Sequence, residues 1–127
     1  MAGARAFVEG WIHLLEELGT TQIRSGTAPA DDAGILQATI SLPGKCRLSV
    51  YIRLEISDDP RLLTYSLQLT DQQDNTLLRY DNASHHKELP GAPHHLHRGD
   101  AVFPVIPEPS LRVMLAAIRD ELDRRRG

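Results

Sequence analysis

From Lys45 to Ile56 the chain alternates without a break. Cys46, Leu48, Val50, Ile52, Leu54 and Ile56 are apolar, while Lys45, Arg47, Ser49, Tyr51, Arg53 and Glu55 all carry polar groups. Successive side chains of a strand point to opposite faces, so this run predicts a strand with one buried and one wet face. That asymmetry is the mark of an antiparallel sheet covered on one side only. Upstream, Leu36, Ala38, Ile40 and Leu42 alternate with Gln37, Thr39 and Ser41, and Pro43-Gly44 supplies the turn between the two runs. Downstream, Leu63, Tyr65, Leu67 and Leu69 alternate after a Ser57-Asp58-Asp59-Pro60 turn, and a further run covers Thr76 to Asp81. Four such runs joined by short turns predict an antiparallel meander. Ala101-Val102-Phe103 is a candidate fifth, edge strand.

Both ends of the chain carry helical period. Phe7, Trp11, Leu14, Leu15 and Leu18 fall on one helical face, with Gly19 placed for a left-handed cap. Leu111, Met114, Leu115, Ile118 and Leu122 do the same, with Pro109 suited to the first turn and Arg124-Arg125-Arg126 at the end. The expected fold is α+β: an antiparallel four- to five-stranded meander with an N-terminal and a C-terminal helix packed on one face. At 127 residues the chain is expected to be one domain, 1–127. Its expected parts are a helix over about 4–18, a mobile loop over about 25–34, the sheet over about 35–81, a His-rich loop over 82–100 and a helix over about 109–125.

Composition narrows the function classes. A net charge of −3 argues against broad attraction to nucleic acid but leaves room for a local basic patch. The lone Cys46 cannot form an internal disulfide and lies on the apolar side of its run. No window of the sequence is long and apolar enough for a membrane span, and no signal-peptide core is visible, so the default compartment is a reducing cytosol.

Five of the six histidines fall between His85 and His97, around Pro90 and Pro93. Neutral imidazole is a common metal ligand, and its charge changes near neutral pH. Arg79 and Asp81 share a strand face at the start of this stretch, opposite Leu78 and Tyr80. In an extended Pro93–His97 segment, His95 and His97 share a face while His94 points away. Three readings stay open. In the first, His95 and His97, with His85 or His86 and an oxygen from Asp81 or Asp100, hold a divalent transition metal such as zinc, nickel or manganese. In the second, two imidazoles act as base and acid on a phosphodiester while Arg79 or Lys87 stabilises the anion. In the third, the histidines are structural. Tyr51, Arg53 and Glu55 line the wet face of the long strand, where a solvated surface is the simpler account.

Leu78-Arg79-Tyr80-Asp81-Asn82-Ala83-Ser84-His85-His86, followed by Pro93-His94-His95-Leu96-His97, resembles the signature of the TumE-like family, the toxin half of prokaryotic toxin–antitoxin pairs. The matching positions are Arg79, Tyr80, Asp81, Asn82, His85, His86, Pro93, His94, His95 and His97, and Ser84 stands where the family pattern has proline. The resemblance runs from about Ile35 to the end. It implies a cognate antitoxin, usually a DNA-binding helix-turn-helix protein. Many toxins of this size act on RNA, so the expected activity is that of a ribonuclease or metal-dependent phosphoesterase. The candidate catalytic residues are Asp81, His85, His86, His95 and His97. Substrate binding falls to Arg79, Tyr80, Asn82 and Lys87, and the candidate metal set is His95, His97 and His85. The alternative is a non-enzymatic protein-binding module with a structural or metal-stabilised His loop. A homodimer through an uncovered sheet edge is a further expectation.

Overall fold

The computed structural model describes residues 3–56, 60–82, 94–104 and 110–126. Its elements run α1 (Ala4–Glu16), β1 (Thr20–Thr27), β2 (Ala33–Ser41), β3 (Arg47–Ile56), β4 (Pro60–Thr70), β5 (Thr76–Asp81), β6 (His95–Arg98), β7 (Ala101–Pro104) and α2 (Leu111–Arg126). The seven strands form one sheet in sequence order, each antiparallel to the next. The α+β class and the meander are as the alternation predicts.

Two of the additional strands lie where the sequence reads as connection. Residues 25–34 carry the end of β1 and the start of β2, joined by a tight turn at 28–32 in which Asp31 takes a positive φ of 56°. The inward positions of β1 are Thr21, Ile23, Ser25 and Thr27, so a single apolar side chain marks its face. An edge strand with so little to bury shows no alternation. Likewise the second half of the expected 82–100 loop is β6, while residues 83–93 lie outside the described residues.

The register sorts side chains by face, since directly opposed residues point the same way. On one face the buried Leu36, Ile40, Leu48, Val50, Ile52, Tyr65, Leu67, Leu69 and Leu78 form a continuous core with both helices. Fully burying one such side chain is worth about 1.5–3 kcal/mol. From α2 come Leu111, Met114, Leu115, Ile118 and Leu122, as its period predicts. Ser110 caps that helix, its Oγ accepting from the Val113 N–H at 3.2 Å. From α1 come Ala4, Val8 and Leu15, with Trp11, Ile12 and Leu14 partly buried. Phe7 instead sits at the rim, tilted against Trp11 with ring centroids 6.3 Å apart. Helix α1 ends at Glu16 with a right-handed cap at Glu17. Gly19 is therefore no left-handed cap; its role is a close approach, because a Cβ there would overlap the Ser41 carbonyl oxygen.

The opposite face is mostly polar, with Ile35 exposed on it, and is organised in rows that cross the sheet. One row runs Arg24, Gln37, Tyr51, Ser66, Asp81 and His95 from β1 to β6. The next runs Gln22, Thr39, Ser49, Gln68, Arg79 and His97. Both rows bring a charged group and an imidazole together at the β5–β6 pair and continue onto Pro104 and Val102 of β7.

Candidate functional site

Strand β5 places Arg79 and Asp81 two residues apart on the polar face, and β6 sets His97 and His95 directly opposite them. Four groups that can hold or move a proton, or bind an anion, therefore converge from two adjacent strands. Asp81 is the hub. Its Oδ1 lies 2.7 Å from His95 Nε2, and its Oδ2 accepts from Arg79 Nε at 2.8 Å. His97 Nε2 stands 3.5 Å from the same Oδ2, and the two imidazoles meet edge-on with centroids 4.8 Å apart. A carboxylate only accepts hydrogen bonds, so the proton of the His95 contact sits on Nε2.

Burial is graded across the cluster. Asp81 and His95 are each 1% exposed, whereas the side chains of His97 and Arg79 are 22% and 39% exposed. A carboxylate this deep needs charged partners to offset its lost hydration. The outer pair, His97 and Arg79, is what a ligand arriving from solvent can touch. Arg79 commits only Nε to Asp81, and a guanidinium has five N–H donors, so others remain for an anion.

Asp81, His95 and His97 also form a potential metal-ligand set, with one ligand atom from each lying within 4.8 Å of the others. One carboxylate with two imidazoles suits zinc, nickel or manganese. However, the Asp81–His95 contact at 2.7 Å has the length of a hydrogen bond, and an ion bound between those two atoms would have to replace it.

The other described signature residues, Tyr80, Asn82 and His94, fall on the other side of the sheet. Tyr80 is buried among the core residues, and burial pushes its phenol above the usual 10.0, with Arg98 opposing. Asn82 Oδ1 accepts from the Tyr65 backbone N–H at 3.0 Å, continuing the β4–β5 ladder with a side chain. His94 Nδ1 lies 2.7 Å from the Tyr65 hydroxyl, its ring stacked on the phenol at 10° with centroids 5.7 Å apart. Tyr65 is the residue that sequence reasoning did not single out; its only signal was an aromatic hydroxyl within a buried alternation. Asp100 is exposed in the β6–β7 turn. His85, His86 and Lys87 lie outside the described residues. No described helix is long and apolar enough to cross a membrane.

No curated protein and no solved structure matches the chain. A family model described as toxin TumE matches residues 12–126, from within α1 to the end of α2 and well ahead of Ile35, where the motif-based resemblance begins. With Arg79, His95 and His97 of the signature gathered around Asp81, and with a match over most of its length, the chain belongs to the TumE family, toxins of toxin–antitoxin systems.

Proposed function

We propose that this toxin acts by cutting RNA at the Asp81 cluster. The observation that carries the reading is the graded convergence of His97 and Arg79 on a carboxylate buried with His95. Asp81 orients the imidazole of His97 through Nε2, and that imidazole is the base. The 3.5 Å contact is long, as catalytic hydrogen bonds often are before substrate binds. His97 takes the proton of a ribose 2′-hydroxyl, and the 2′-oxygen forms a bond to phosphorus. The 5′-oxygen leaves and picks up a proton from solvent, so the upstream fragment ends in a 2′,3′-cyclic phosphate. Arg79 meets the charge that builds on the phosphoryl oxygens. His95 supports Asp81 from below and does not reach the strand.

The test is cleavage of an end-labelled RNA by the purified toxin, beside the same strand with 2′-deoxyribose throughout. Cutting of the first alone, lost in His97→Ala, is expected. Equal cutting of both strands, or full activity in His97→Ala, would sink the proposal.

A second reading is favoured by the Asp81–His95–His97 ligand set: a metal-held cluster that serves structure or metal-assisted hydrolysis. Elemental mass spectrometry on untagged protein separates the two. Near-stoichiometric zinc, nickel or manganese, lost in His95→Ala/His97→Ala, would favour the metal.

The partner proposed for neutralisation is an antitoxin of the DNA-binding helix-turn-helix class, and the proposed compartment is the cytoplasm. Among the described residues β1 and β7 are the open edges of the sheet, where a second copy would pair.

A further inference from the structure

We infer that the polar face of the sheet is a track for single-stranded RNA, running from Arg24 on β1 to the Asp81 cluster. This deepens the RNA-cutting reading and rests on it for the identity of the strand. Three observations support it. Both helices pack on the opposite face, and among the described residues no helix or strand lies over this one. The two rows that cross it hold two cations, Arg24 and Arg79, and a single carboxylate, Asp81, which Arg79 already offsets. The acidic surplus of the chain (net charge −3) therefore lies off the track. A face carrying cations, amides and hydroxyls on an acidic protein fits a polyanion better than it fits a protein surface.

The aromatic placement narrows the polyanion to a single strand. Tyr51 is half-buried at the middle of its row, between Gln37 and Ser66, and has no aromatic neighbour in either row. An aromatic ring set between polar neighbours on a sheet face is a stacking platform for an unpaired base, which a duplex cannot offer. Arg24 is exposed with no carboxylate partner among the described residues, and lines a hollow of about 390 Å³ with Gln22, Gln37 and Thr39. Strands lie about 4.8 Å apart, so five steps from β1 to β6 span roughly 24 Å. A strand laid across the rows would rest a phosphate at Arg24, stack a base on Tyr51 and deliver the next linkage to Arg79 and His97.

Binding is read separately from cutting, on a His97→Ala background that leaves the strand intact. The probe is a fluorescein-labelled single-stranded RNA of about twelve nucleotides, within the ~4–16 typical of such surfaces. Tyr51→Ala is expected to weaken it roughly 5- to 150-fold, and Tyr51→Phe to bind as the parent does. Arg24→Gln should flatten the dependence of log affinity on log salt by about 0.7, the contribution of one phosphate contact on a single strand. Circular dichroism confirms that each variant is folded. Unchanged binding in Tyr51→Ala and Arg24→Gln would overturn the track even if the toxin cuts RNA. Loss of binding in both variants, with no cutting by the native toxin, would keep the track and remove the nuclease. If the two variants bind RNA normally but lose the cognate antitoxin, the face belongs to a protein partner and the track is wrong.

Discussion

Asp81→Asn is the most informative single change, because it removes a charge while keeping shape. The carboxylate accepts from His95 where both groups are about 1% exposed, a charge-assisted hydrogen bond worth about 1.5–3 kcal/mol. The Arg79 contact adds at most about 1 kcal/mol, since that side chain is 39% exposed and can turn to water. His97 at 3.5 Å adds little. An amide in this place offers one acceptor oxygen and turns an N–H toward a donor. The expected loss is therefore about 2–4 kcal/mol, or on the order of 10 °C in Tm for a domain this size. Urea unfolding followed by circular dichroism measures it, with an unchanged m-value as the check that unfolding stays two-state. A loss under about 0.5 kcal/mol, the range of an ordinary surface change, would refute the idea that a buried carboxylate organises this site. Arg79→Gln is the control and should cost less than about 1 kcal/mol.

Three further outcomes are expected. His97→Ala should abolish growth inhibition on induced expression yet cost less than about 1 kcal/mol in urea, because the side chain is partly exposed and its contact long; a strongly destabilised variant would remove the distinction between outer and inner groups. Tyr80→Phe should remain toxic, since the phenol faces the helix-covered side, and a non-toxic but folded variant would place Tyr80 in the site after all. Asp71 has its carboxyl held below the usual 3.8, first by the Asn75 backbone N–H and further by the Asn75 side chain and the Gln73 backbone N–H. A folded-state pKa below the unfolded one gives stability that is present above the unfolded value and lost as pH falls through the folded one. Native protein should accordingly exceed Asp71→Asn in Tm near neutral pH, with the gap closing below about pH 4; a gap that widens in acid would contradict the assignment.

How far the fold was legible depended on how much each element buries. Strand β3 exposes alternate residues and buries Leu48, Val50, Ile52 and Leu54, so its pattern was unmistakable. Strand β1 has Ile23 as its one apolar inward residue and is invisible to the same reasoning. Helix α2 buries the five residues its period selects. Helix α1 is rotated from expectation: Ala4 and Val8 pack against Gly34 of β2, and Phe7 is left at the rim. At the site, period-two logic paired Arg79 with Asp81 and His95 with His97 correctly. What it could not supply was the pairing of β5 with β6, since residues far apart in sequence meet only through the register of the ladder. Among the described residues that register makes Asp81 the group at which the two imidazoles meet.

The stack of His94 on Tyr65, with Asn82 bonded beside it, pins β6 to β4 and β5 from beneath, while the Asp81 cluster sits above. A toxin gene is under constant selection for silence whenever its antitoxin fails. Survivors of such a screen should then fall into two groups: losses at Arg79, Asp81 and His97, and losses at Tyr65, Asn82 and His94. The second group would carry Arg79, Asp81 and His97 intact, on strands that have lost their alignment.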